Sequence, residues 1–387
     1  MKFGGTSVKD EAAIGRVISI VRSRLRERPL VVVSALSKVT RMLCELAQEA
    51  EAQHDDNVKA LLSRLRERHF DLARKLLASR PELLEEAIGE VEEIIGKLET
   101  FVGGVCLIGD LSRRSEARII STGEVLSSTI ISYAFNAEGV SCRLIDARRM
   151  IITDDNYISA QPDMETTEAN VRRIVGQESK GVDIVLTQGF IASTGAGVPS
   201  VLGFEGSDYS AAIFGSALDA ERVEIWTDVD GIRTTDPRFI GSTRKIDVIS
   251  YEEAAEMAVM GARVLHPLTI EPARRRNIQI RVLNSTNPEC EGSSVVRSDE
   301  APGGPKSVAF RSEILFVRIR SSRLEGVTRM LGKVFAVLYP KRIPVTLAKA
   351  TESEVCLVIP EEVDGLAEAF DEIRKWAEVT VYRDKSF

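Results

Sequence analysis

The chain has 387 residues, 44% of them hydrophobic and 28% charged, with a formal net charge of −7. That length exceeds what one hydrophobic core serves, so two or three globular domains are expected. An excess of acidic over basic residues, 58 against 51, argues against nucleic acid as the main partner, because phosphate backbones select basic surfaces.

Five cysteines (44, 106, 142, 290 and 356) form no CxxC pair, which fits unpaired thiols in a reducing cytoplasm. No apolar run reaches transmembrane length, and Asp10 and Glu11 arrive too early for a signal peptide. Three histidines without HExxH-type spacing give no basis for a structural zinc site. Arg274-Arg275-Arg276 reads as a solvated helix end.

Along the chain, Lys2-Phe3-Gly4-Gly5-Thr6-Ser7 comes first, and Ile14, Val17, Ile18, Val21 and Leu25 then fall on one helical face. The glycines therefore lie between a strand end and a helix. Their backbone N–H groups can approach an anion there, and a lysine can neutralise phosphate oxygens. In isolation the same stretch is also a plain tight turn before a capped helix. Leu30-Val31-Val32-Val33 reads as a buried strand ending in Ser34. From about 39 to 102 the pattern is helical, an excursion from the sheet. Strands follow at Asp183-Ile184-Val185-Leu186-Thr187, Val223-Glu224-Ile225-Trp226-Thr227 and Ile278-Gln279-Ile280-Arg281-Val282-Leu283. This alternation predicts an α/β class with a mostly parallel central sheet, whose ligands sit at the strand carboxyl ends. The polar clusters Ser34-Ser37-Thr40, Gln188-Gly189 and Thr227-Asp228 should converge there.

Asn284 to Lys306, with three prolines and three glycines, has linker chemistry. Beyond it, strands are expected at Ile314–Ile319, Pro344–Ala348, Val355–Ile359 and Val379–Tyr382, with helices at Gly326–Leu338 and Val363–Trp376. That is the βαββαβ order of a small ferredoxin-like domain.

Several segments together resemble the aspartate kinases of the amino-acid kinase superfamily. They are Lys2 to Val8; Val33-Ser34-Ala35 with Thr40; Thr122-Gly123-Glu124; Leu186 to Ile191; and Leu202-Gly203 with Gly206-Ser207-Asp208-Tyr209. Trp226 to Ile232, Thr234-Thr235-Asp236-Pro237-Arg238, Ala254-Ala255-Glu256-Met257 and Gly261 to Pro267 complete the set. The resemblance implies a three-layer amino-acid-kinase-like catalytic domain over 1–285, a linker at 286–306 and an ACT-like regulatory domain over 307–387. It also implies transfer of the γ-phosphoryl group of ATP, with Mg2+, to the side-chain carboxylate of L-aspartate, the first step towards lysine, threonine and methionine. A carboxylate is already ionised at neutral pH, so the reaction needs no general base.

The matching positions carry the implied roles. Lys2 and Asp208 would be catalytic. Ser34, Thr40, Glu124, Phe190, Gly206 and Ser207 would bind substrate, with Glu124 accepting from its ammonium. Gly4, Gly5, Ser7, Thr227, Asp228, Arg233, Arg238 and Arg263 would contact the nucleotide, and Mg2+ would ride on its phosphates. An amino-acid effector such as lysine or threonine, and a homodimer or larger assembly through the ACT-like domain, are further implications, with no nucleic acid or membrane partner.

Three positions depart from the resemblance. Phe204 stands where an arginine usually pairs with a substrate carboxylate, and a phenyl ring cannot replace a bidentate guanidinium. Either another cation takes over, or the substrate is held differently, or affinity is low. Arg233 replaces a frequent aromatic, and Arg263 a frequent lysine. Only one residue precedes Lys2, so further residues are expected upstream of the first strand. Two other readings stay open: a kinase of another small carboxylate or carbamate, and an amino-acid-sensing partner whose kinase site has decayed.

Overall fold

A computed structural model describes residues 1–203, 205–238, 240–262, 265, 267–309 and 313–385. Among the described residues, fifteen strands run in chain order: β1 (Lys2–Phe3), β2 (Leu30–Val33), β3 (Cys142–Ile145), β4 (Ile152–Thr153), β5 (Ile184–Gln188), β6 (Ile191–Thr194), β7 (Pro199–Val201), β8 (Arg222–Thr227), β9 (Val248–Ser250), β10 (Gln279–Asn284), β11 (Ser293–Val296), β12 (Ile314–Arg320), β13 (Leu347–Ala350), β14 (Glu354–Pro360) and β15 (Glu378–Lys385). The α-helices are α1 (Glu11–Arg22), α2 (Val39–Glu51), α3 (Asp55–Leu76), α4 (Pro81–Ile108), α5 (Arg113–Ile120), α6 (Thr122–Ala137), α7 (Met164–Glu178), α8 (Gly206–Ala217), α9 (Tyr251–Val259), α10 (Pro267–Arg276), α11 (Val327–Leu338) and α12 (Leu366–Arg374).

Eight strands form the main sheet in the order β3-β5-β2-β1-β8-β10-β11-β9. The first six are mutually parallel, and β11 runs antiparallel to β10. The inner strands are nearly all apolar because both faces are covered. Val31, Val32, Val33, Leu186, Ile225 and Val282 are buried. Helix α6 packs against β2, β3 and β5, and α8 against β1, β2 and β8. The α/β class with a mostly parallel sheet is thus as the sequence predicts.

The polar strand ends also stand side by side. Because β5, β2, β1 and β8 are neighbours in register, Gln188, Val33, Phe3 and Trp226 lie along one edge of the sheet. The expected helical excursion comprises α2, α3 and α4. Part of the stretch with linker composition is sheet: β11 pairs with both β10 and β9. Its Ser293 Oγ accepts from Ile232 N at 2.8 Å, so the turns around it are tethered despite their prolines and glycines.

The chain divides into two compact units. One comprises Met1–Ile232, Lys245–Ala255 and Leu265–Pro305; the other comprises Arg233–Arg244, Glu256–Val264 and Lys306–Phe387. In the second unit a four-stranded antiparallel sheet has the order β13-β14-β12-β15, with α11 and α12 as its two helices, which is the ferredoxin-like arrangement. Val317, Ile319, Met330, Val334, Leu357, Phe370 and Ile373 form its core.

Candidate active site

The site is built on the central strand. β1 is only two residues long, yet it pairs with parallel neighbours on both sides, Lys2 opposite Val32 and Ile225. Alternation along a strand sends Phe3 and Lys2 to opposite faces. Phe3 is fully buried and stacks on Trp226 at 5.9 Å. Lys2 is 8% exposed, and its Nζ meets Asp208 Oδ1 at 2.5 Å. A Cβ on Gly4 would stand 3.4 Å from that Nζ, so the lysine amine lies over the glycine turn.

The turn is stitched to both neighbours. Gly4 N donates to Trp226 O at 3.2 Å, Ser34 N to Phe3 O at 3.2 Å, and Ser37 N to Gly5 O at 3.2 Å. Gly5 has no room for a side chain, since its Cβ would fall 2.9 Å from Ala35 O. Ser7 is 2% exposed, and its Oγ lies 2.8 Å from Ser285 Oγ, itself 2% exposed. Ser285 Oγ donates to Thr227 O at 3.0 Å. These two hydroxyls therefore link the glycine turn, the end of β8 and the end of β10. Ser285 is not singled out by the sequence reading. Its only signal there is its place just after a parallel strand, where ligand-site residues gather.

On the β2 side, Glu124 lies in the first turn of α6 and is 3% exposed. Its Oε1 accepts from Ala35 N at 3.2 Å, while Oε2 is buried without a partner. Burial pushes its pKa up to about 8, against the lowering effect of the Ala35 N–H. Such a carboxylate suits a cationic ligand group that supplies the missing donor. Ser34, half-buried, is held by Ser127 Oγ donating to its carbonyl at 2.8 Å. Thr40, also half-buried, stands in the first turn of α2.

The third wall joins the β5 end to α8. Gly189 N donates to Val33 O at 2.9 Å, and a Cβ on Gly189 would fall 2.7 Å from Ser207 Cβ. Phe190 adopts φ 66°, and its N–H donates to Ser210 Oγ at 2.9 Å. Gly206 abuts the Phe190 ring, where a Cβ would lie 2.9 Å from Cδ2. This close packing sets Ser207 and Asp208, in the first turn of α8, beside Lys2. At the β8 end, Thr227 Oγ1 donates to Asp228 Oδ1 at 3.2 Å.

Lys2, Gly4, Gly5, Ser7, Ser34, Thr40, Glu124, Phe190, Gly206, Ser207, Asp208, Thr227 and Asp228 all belong to the first compact unit. Arg233 and Arg238 belong to the second. There Arg233 Nη1 donates to Thr243 Oγ1 at 3.0 Å, and Arg238 pairs with Asp236 at 2.5 Å. Phe204 and Arg263 lie outside the described residues.

A mostly parallel α/β sheet with an ion-paired lysine over a glycine turn at its central strand tip is an arrangement suited to binding phosphate. The family model described as "Amino acid kinase family" matches residues 1–284. Lysine-sensitive aspartokinase 3 of Escherichia coli K12 is 34% identical over 360 residues, covering 92% of this chain and 77% of that protein. Bifunctional aspartokinase/homoserine dehydrogenase 2, chloroplastic, of Zea mays is 31% identical and covers 97% of this chain; the chain spans only 41% of that relative's length. Among solved structures, E. coli aspartokinase III in complex with aspartate and ADP superposes with a TM-score of 0.85 at 31% identity, covering 100% of this chain and 85% of that one. The chain belongs to the amino acid kinase family.

Proposed function

We propose that this protein is an aspartate kinase, transferring the γ-phosphoryl group of ATP to the side-chain carboxylate of L-aspartate to give 4-phospho-L-aspartate. The observation that carries the reading is Glu124, a buried carboxylate with one unpartnered oxygen, whose other oxygen is bonded to the loop that also holds the glycine turn. It offers an acceptor for an ammonium, so the substrate is an amino acid rather than a simple acid. The E. coli relative that superposes on this chain carries aspartate and ADP.

The roles follow from charge. The substrate carboxylate attacks without losing a proton, so catalysis is positioning and charge neutralisation. Lys2 neutralises the transferring phosphoryl oxygens, and Asp208 orients its amine through their ion pair. Gly5 presents its backbone N–H to phosphate, Gly4 ties the turn to β8 through Trp226 O, and Ser7 fixes the turn through Ser285. Thr227 and Asp228 contact the nucleotide. Ser34, Thr40, Phe190, Gly206 and Ser207 shape the amino-acid pocket. Among the described residues no three His, Cys, Asp or Glu side chains gather into a metal cage. Mg2+ would ride on the phosphate oxygens and water, where it would supply further charge neutralisation.

The ferredoxin-like unit is proposed as an ACT-type regulatory domain that takes an amino-acid effector and pairs with a second copy of itself. A second E. coli aspartokinase III structure, 32% identical, is a complex with lysine and aspartate. All five cysteines are free and no described helix is long and apolar enough to cross a membrane; we place the enzyme in the cytoplasm. The test is turnover of ATP across a panel of small acids, with and without lysine, threonine and methionine. Aspartate should be the preferred acceptor, with one of the three amino acids inhibitory. Turnover with another acid and none with aspartate would overturn the assignment.

A further inference from the structure

The amino acid in this reading brings one ammonium and two carboxylates. Glu124 accounts for the ammonium, and Lys2 for the carboxylate that meets the phosphoryl group. The second carboxylate must also leave water, and a buried carboxylate without a cation is costly. The first compact unit therefore should contain a further cation, close to the Ser34–Thr40 loop and not already neutralised.

Arg68 meets these conditions. It projects from α3 in the helical excursion, is half-buried, and its Nη2 donates to Ser37 O at 2.6 Å. Ser37 N in turn bonds the glycine turn at Gly5 O, and Ala35 N bonds Glu124. The same short loop thus touches the turn, the ammonium acceptor and the guanidinium. Of the other arginines of α3, Arg66 pairs with Glu92 and Glu99, Arg74 pairs with Asp71, and Arg64 is exposed. Arg68 instead spends one donor on a carbonyl and keeps the rest of its five N–H groups. Burial lowers its pKa, so an anion brought beside it would favour the charged guanidinium. Helix α2 adds to the field, since its N-cap Lys38 (φ 70°) supplies no side-chain cap and the first-turn N–H groups beside Thr40 carry positive potential. Lys38 and Arg41 are exposed and would be screened.

We propose that Arg68 binds the substrate carboxylate that is not phosphorylated, and so sets the preference for an α-amino acid bearing two carboxylates. The proposal deepens the aspartate kinase reading and rests on it. The ligand that isolates the contact is β-alanine, which keeps the ammonium and the reacting carboxylate but lacks the second one. The experiment compares kcat/KM for aspartate and for β-alanine in the full-length wild type, Arg68→Met and Arg68→Lys, with β-alanine measured by its Ki against aspartate if its turnover is too slow.

In Arg68→Met the aspartate to β-alanine ratio should fall by about 100-fold, the scale of a hydrogen bond to a charged group, mainly through KM for aspartate. KM for ATP, the β-alanine value and Tm should hardly change, and Arg68→Lys should recover part of the ratio. Equal losses for both ligands would mean that Arg68 only braces the loop, and an unchanged ratio would also overturn the proposal. A wild type that transfers nothing to aspartate would remove the kinase reading itself, a distinct result visible before any variant is made.

Discussion

Glu124 costs the empty protein something. Its carboxylate is buried, one oxygen lacks a partner, and its pKa is pushed up to about 8 from the ordinary 4.5 by burial. At pH 7 the empty site therefore holds the proton, and an arriving ammonium must displace it. Aspartate binding at pH 7 should release about one proton, seen as a calorimetric enthalpy that varies with the ionisation enthalpy of the buffer. Binding should strengthen as pH rises towards 8, and Glu124→Gln should abolish both effects. Heats independent of buffer would contradict the role. The sign for stability is opposite: the folded state binds the extra proton between the unfolded value and about 8, so Glu124 makes stability fall as pH rises through that window. At this scale sequence reasoning names Glu124 but not Arg68 or Ser285, whose hydrogen-bond partners lie 31 and 278 positions away in the chain.

Among the elements, β1 and β8 depend on a charge cluster. Glu224, on β8 and 2% exposed, accepts from Arg222 Nε at 2.8 Å, Arg24 Nη1 at 3.0 Å and Trp226 Nε1 at 3.0 Å. Burial alone would raise its pKa, but the Arg222 hydrogen bond and the charge of Arg24 outweigh it and hold the carboxyl below its usual value. Because the same indole stacks on Phe3, the cluster fixes the register that carries Lys2. Glu224→Gln should lower unfolding free energy at neutral pH by about 1–3 kcal/mol, since it takes the buried charged acceptor from two guanidinium groups and leaves them Glu27 as a shared partner. With a depressed folded pKa, the contribution is present above about pH 4.5 and is lost as pH falls through the folded value. Urea unfolding at pH 7 and near pH 3 tests this: the gap between wild type and variant should shrink at the acid pH, and equal midpoints at pH 7 would contradict it. The inner strands β2 and β5 are legible in sequence as near-continuous apolar runs, because both their faces are covered, and β8 and β10 remain legible although Glu224 and Arg281 interrupt them. By contrast β4, β7, β9 and β11 are two to four residues long and carry no such run, and β11 sits among the prolines and glycines that read as linker.

For the whole molecule, the order of motifs says more than any one of them. A glycine turn after an apolar residue is common, but here the chain order lets β5, β2, β1 and β8 become neighbours, and their polar tips gather around Lys2. The βαββαβ order of the C-terminal region is equally legible, since each element alternates at its own period. Less legible is that the second compact unit also draws in Arg233–Arg244 and Glu256–Val264, which depends on folding rather than on composition. In the proposed reaction one electrostatic event is central: the Lys2 amine, held over the glycine turn, stabilises a phosphoryl group moving onto an aspartate carboxylate. Trapping with hydroxylamine reads that event directly. The wild type should form aspartyl hydroxamate only when ATP and magnesium are both present, and Lys2→Ala should lower the rate by about 100-fold or more. A Lys2→Ala enzyme that forms the hydroxamate at a near-normal rate would contradict it.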